Sequence, residues 1–103
     1  MVGLNGVADV LLLGELDDMD TAAELRAVLD PLVDDGPEEI VLDCNGLSFI
    51  DSSGIAALIS VQKRLGSNGR RLVLRSPRPI IMKVLEVTDL IDFLNVETSE
   101  RID

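Results

Sequence analysis

The segment Gly46–Ser60, GLSFIDSSGIAALIS, presents Asp51, Ser52, Ser53 and Gly54 between two apolar runs. Three kinds of chemistry suit such a turn. A short polar side chain can cap a helix by accepting hydrogen bonds from its first backbone N–H groups. A serine hydroxyl can act as a nucleophile if a base activates it. It can also accept a phosphate, which adds about −1.5 to −2 charges at one point. Capping is the commonest use of these residue types. In the phospho-acceptor reading one hydroxyl is exposed for modification while its neighbour caps. The nucleophile reading is weak, because the chain holds no histidine, which removes Ser-His-Asp and Cys-His arrangements and most zinc sites. Only a lysine such as Lys63 is left as a base, and it stands about three helical turns from Ser52, roughly 15 Å at 1.5 Å per residue.

Other chemistry-bearing residues have plainer uses. Glu15, Asp17, Asp18 and Asp20 gather carboxylates but lack the D-x-[DN]-x-[DN]-G spacing and distal glutamate of a calcium loop. A solvated acidic loop, able to complement a basic patch on a partner, is the expectation. Cys44, the one cysteine, cannot form an internal disulfide and reads as a small core residue of a protein from a reducing compartment. Lys63, Arg64, Arg70 and Arg71 read as a solvated face and a helix end. Neither a G-x-x-x-x-G-K-[ST] loop nor a G-x-G-x-x-G fingerprint occurs.

The elements that must position the serine turn come next. A length of 103 residues suits a single domain, residues 1–103. Hydrophobic residues make up 47%, and the only aromatics are Phe49 and Phe93, so the core is aliphatic. Nine basic residues against nineteen acidic ones give a net charge of −10. That balance repels phosphate backbones and anionic membrane surfaces, so neither nucleic acid nor membrane is an expected partner. No opening segment resembles a signal peptide, and no apolar run approaches the ~18 residues of a membrane span. A cytoplasmic, acidic domain is expected.

Asn5-Gly6 signals a tight turn that pairs a short strand, Val2–Leu4, with Val7–Leu13. Gly14 to Asp20 reads as an acidic loop. Thr21 and Glu24 form a capping box ahead of a helix whose apolar face is Leu25, Val28, Leu29 and Leu32. Pro31 should kink or shorten that helix, and Asp35-Gly36-Pro37 breaks it. A short strand around Ile40-Val41-Leu42 follows. After the serine turn, Ile55, Leu58, Ile59, Val61 and Leu65 form a second helical face that ends at Ser67-Asn68-Gly69. Leu72-Val73-Leu74 is a third core strand. Ser76-Pro77 opens a third helix facing inward with Ile81, Val84 and Leu85; Met82 is expected in the core. Phe93–Val96 forms a last strand. The order ββαβαβαβ predicts an α/β fold with its crossover strands mostly parallel.

The stretches GELDDMDTAAEL and EIVLDCNGLSFIDSSGIAAL resemble the anti-sigma factor antagonists, which are single STAS domains. The similarity continues through RLVLRSPRPIIMKVLEVTDLIDFLNV and covers nearly the whole chain. It implies a mixed sheet of about four to five strands packed against helices on one side. It also implies a binding module and not an enzyme, with no cofactor and no metal. The unphosphorylated form of such a protein binds an anti-sigma factor with serine kinase activity and so frees a sigma factor. Phosphorylation weakens binding, and a PP2C-type phosphatase restores it. Carried onto this chain, the acceptor is Ser52. Asp17, Asp18, Thr21, Asp51, Ser53, Gly54 and Ile55 become partner-binding positions, with Ser53 helping to start the helix. A scaffold role in another stress-signalling complex is the alternative within the fold. The chain departs from the family in a longer loop before Thr21, a clipped first strand, Pro31 within the helix, and a nearly absent final helix after Val96.

Overall fold

The computed structural model describes residues 7–16 and 19–98. Strands and helices alternate. β1 (Val7–Leu16), α1 (Met19–Asp35), β2 (Glu39–Ile50), α2 (Ser52–Gly66), β3 (Arg71–Arg75), α3 (Pro79–Val87) and β4 (Val96–Glu97) follow in order. Among the described residues four strands lie in sequence order β1-β2-β3-β4, and every neighbouring pair is parallel. Parallel neighbours need a crossover long enough to return the chain, and each helical segment supplies one. The expected Val2–Leu4 strand lies outside the described residues.

Register sorts the side chains into two faces. Ile40 pairs with Leu72 and Leu42 with Leu74 across β2 and β3, and all four are at most 1% exposed. With Leu12 and Cys44 they form the sheet side of the core. The helices cover this side. Ala22, Leu25, Leu29 and Val33 recur at helical spacing on α1; Ala57, Leu58, Val61 and Leu65 do so on α2; Ile81 and Leu85 come from α3. The opposite face carries exposed ion pairs instead: Arg75 with Asp9 at 3.2 Å, and Arg71 with Glu39 at 3.1 Å. Between these rows Val41 faces Val73 in register, and both are buried. The arginine stems offer the apolar cover such a row needs.

Several expectations need correction. Gly14 to Asp20 is not one loop, since β1 runs to Leu16 and α1 begins at Met19. Thr21 therefore sits inside the first turn of α1 and not at its cap. Pro31 does not shorten α1, which continues to Asp35; the ring points outward on an exposed position. Val28 is exposed at 53% instead of facing the core, which takes Ala22 and Val33 in its place. β2 is far longer than the Ile40–Leu42 run, because register shifts between Leu11 and Leu13 and between Gly14 and Glu15 keep it paired to Ile50. The first shift brings backbones close: a Cβ on Gly46 would stand 2.9 Å from the carbonyl oxygen of Leu12. The second falls at Gly14, whose φ of +76° suits glycine. Pro79, not Pro77, opens α3. Met82 is half-buried. The last strand is Val96–Glu97, and Phe93 lies before it in a turn.

Arg70 is not solvated. Its Nε donates to the Pro37 carbonyl at 2.9 Å, and its Nη1 and Nη2 donate to those of Val33 at 2.5 Å and Leu32 at 2.6 Å. A helix leaves its last carbonyls without intrahelical partners. The planar guanidinium satisfies two of them at the end of α1 and ties that end to the start of β3. Arg64 reaches the same helix from α2, pairing with Asp30 at 2.7 Å and Asp34 at 3.2 Å.

Candidate functional site

β2 ends at Ile50 and α2 begins two residues later, so Asp51 alone makes the turn. Asp51 adopts extended backbone angles, φ −118° and ψ −167°, as an N-cap residue does. Its Oδ1 accepts from the backbone N–H of Ser53 at 2.9 Å and of Gly54 at 3.2 Å. Its own carbonyl accepts from Ile55 N–H at 3.0 Å, the first intrahelical bond. The cap is therefore Asp51, and the helix-starting role expected of Ser53 is corrected. A carboxylate at this place also complements the positive end of the helix dipole.

With the cap supplied by Asp51, the two serines differ in position. Ser52 is the first residue of α2 and is exposed, whereas Ser53 is half-buried, Gly54 buried and Ile55 half-buried. Among the described residues neither serine hydroxyl has a hydrogen-bond partner. Ser53 lines a cleft of about 210 Å³ between α1 and α2, together with Ala22, Arg26 and Ala56.

β1 runs alongside this turn. Leu16 pairs with Ile50 and Glu15 with Phe49, so the G-E-L segment ends beside the residue preceding Asp51. Ser48 Oγ donates to the Gly14 carbonyl at 3.1 Å and fixes the two strands there. Thr21 lies half-buried in the first turn of α1, on the helix whose Ala22 and Arg26 reach the Ser53 cleft. Asp51, Ser52, Ser53, Gly54 and Ile55 thus form one contiguous corner, with Thr21 on the neighbouring helix. Asp17 and Asp18 lie outside the described residues. Two residues of this corner escape a reading of the sequence alone. Arg26 is the one basic residue of α1, and Phe49 is 43% exposed beside the turn. Arg26 falls one turn after Ala22, but only the packing of α1 on α2 brings it to Ser53.

No lysine-activated serine is assembled here. Lys63 occupies the last turn of α2 while Ser52 begins it, about 16 Å apart along the axis at 1.5 Å per residue. Cys44 is 1% exposed. Burial pushes its thiol up to about 12, the Asp43 carboxylate adds to this, and a backbone hydrogen bond from Arg75 opposes it. A thiol held protonated is a poor nucleophile. No helix among the described residues is long and apolar enough to cross a membrane.

Similarity to known proteins extends over most of the chain. The family model described as Mlab, STAS domain, matches residues 1–95. An anti-sigma-B factor antagonist of Staphylococcus aureus (strain NCTC 8325 / PS 47) is 30% identical over 90 residues, spanning 87% of this chain and 82% of that protein. The unphosphorylated anti-sigma factor antagonist SpoIIAA superposes with a TM-score of 0.66 at 28% identity, over 79% of this chain and 74% of its own. The Bacillus cell fate determinant SpoIIAA in its phosphorylated form gives a TM-score of 0.71 at 25% identity, over 92% of this chain and 85% of its own.

Proposed function

This chain belongs to the STAS domain family and to the anti-sigma factor antagonists within it, and from that premise we propose that it is a phosphorylation-switched binding module acting in the cytoplasm. In its unmodified form it binds an anti-sigma factor that is also a serine kinase, and a sigma factor is released. The kinase transfers phosphate to the Ser52 hydroxyl, binding is lost, and a PP2C-type phosphatase restores it.

The observation that carries this reading is the division of labour at the start of α2. Asp51 holds the helix end through its own carboxylate, which leaves the exposed Ser52 hydroxyl free of any structural duty. A phosphate there adds about −1.5 to −2 charges. The helix N-terminus offsets part of the internal repulsion from Asp51, so the fold tolerates the group and the cost falls on the partner interface. The surrounding corner, with Thr21, Ser53, Gly54 and Ile55, supplies the contact surface; Asp17 and Asp18 are proposed to extend it.

The test is binding of the cognate anti-sigma factor by calorimetry, with intact-mass and site mapping after incubation with ATP. One phosphate at Ser52 is expected, Ser52→Ala should bind like the wild type, and Ser52→Asp should bind at least tenfold more weakly. Equal binding by the two variants, or phosphate on Ser53 alone, overturns the proposal.

A further inference from the structure

A second surface lies away from the serine hydroxyl, in the groove between β1 and the outer side of α1. It has a volume of about 220 Å³. Its walls include Leu11, Leu13 and Val28, which are 60%, 71% and 53% exposed. Three large apolar side chains, each more than half exposed around one groove, exceed the scattered surface leucines of an ordinary monomer. The packing explains how they arise. Leu12 turns to the core while its neighbours Leu11 and Leu13 do not, and α1 buries Leu25 and Leu29 but leaves Val28 outside.

The polar members of the groove are Glu15, Thr21 and Glu24, and among the described residues no basic residue lines it. Two carboxylates at an apolar slot, on a protein of net charge −10, select a cationic occupant by charge complementarity. Glu15 also belongs to the segment that runs beside the serine turn, so the groove is continuous with the proposed interface. We propose that this groove docks a segment of the protein partner that presents apolar side chains flanked by lysine or arginine. The proposal rests on the reading of the chain as a protein-binding module, and not on the phosphorylation switch. The apolar anchors fill the slot between Leu11, Leu13 and Val28, and the flanking cations meet Glu15 and Glu24.

The probe is a synthetic peptide of about twelve residues, with leucines at alternating positions and lysines between them, titrated into the isotope-labelled full chain and followed by backbone NMR. Shifts should concentrate on Val10–Glu15 and Thr21–Val28. Leu13→Ser combined with Val28→Ser, and separately Glu15→Gln combined with Glu24→Gln, should each weaken binding at least fivefold. Lys83→Gln, at an exposed position of α3 away from the groove, should leave it within twofold; the titration involves neither kinase nor phosphate, so a failed switch at Ser52 and a failed groove are read separately. Equal binding of a peptide with glutamates in place of the lysines overturns the proposal, as do shifts spread over the other acidic surfaces. Nuclear Overhauser contacts from residues 1–6 to Leu11 and Val28 in the free chain, or concentration-dependent dimers lost in Leu13→Ser, would assign the groove to another occupant and also overturn it.

Discussion

Asp51 Oδ1 stands 2.9 Å from the backbone nitrogen of Ser53. This one contact decides which residue of the serine turn is structural. A cap on the residue before the first serine leaves that serine as the outermost residue of the helix, with its side chain in solvent.

Replacing Asp51 therefore acts on stability before anything else. Asp51→Ala should cost about 1 kcal/mol, the ordinary cost of a lost N-cap, whereas Asp51→Asn should be nearly neutral. Ser53→Ala should change stability little, because only the backbone of Ser53 takes part in the cap. Urea denaturation midpoints of the three variants check this ranking.

Arg70 makes a larger contribution. Arg70→Ala leaves the carbonyls of Leu32, Val33 and Pro37 without their donor, and half-buried acceptors stripped of a charged donor lose about 2 kcal/mol or more. Arg70→Lys should recover only part of that, since an ammonium cannot span three acceptors with a planar fork. Thermal melts of both variants should separate them, and hydrogen exchange should localise the loosening to the C-terminal turn of α1.

Gly46 is constrained by space. A Cβ there would meet Leu13 Cδ2 at 2.6 Å and the Leu12 carbonyl oxygen at 2.9 Å. The leucine side chain can swing away, but the backbone oxygen of a paired strand cannot. Gly46→Ala should destabilise the fold by about 1–3 kcal/mol, in the range of overpacked sites, and NMR shifts should change most around Leu12 and Leu13.

Cys44 gives the fold a pH dependence on the alkaline side. The folded thiol titrates near 12 against 9.0 for an ordinary one. Between those values the folded chain holds a proton that the unfolded chain has released. The contribution is fully present below about pH 9 and is lost as the pH rises toward 12. The denaturation midpoint should therefore fall more steeply above pH 9 in the wild type than in Cys44→Ala. The folded thiol should also resist alkylation at pH 8, and the unfolded one should react.

The buried face of α2 and the strand β3 are the most legible features of the sequence. Leu58, Val61 and Leu65 mark the buried face of α2 by spacing alone, and Leu72-Val73-Leu74 mark β3 by their uninterrupted apolar run. Both signals survive because tertiary packing agrees with them. The start of α1 departs from its sequence signal: Thr21 and Glu24 have the right types for a capping box, yet the helix extends upstream to Met19. The length of β2 was hidden because Asn45 and Gly46 interrupt its apolar run, and only pairing with β1 through two register shifts keeps the strand going. Val28 matched the apolar period of α1, but the period cannot say how far round the helix the core reaches. Arg70 left no local trace, since its partners lie more than thirty residues upstream.

That separation bears on how the chain is made. Val33 and Arg70 are 37 positions apart, so the end of α1 cannot be sealed when α1 itself leaves the ribosome. It waits through the synthesis of β2 and α2, and Arg70, the residue just before β3, then closes it. Until then the last turn of α1 has carbonyls that only water can satisfy, and it frays. The first four elements are thus held in a provisional state, and the arrival of Arg70 converts the N-terminal two-thirds of the chain from a partly open assembly into a locked one.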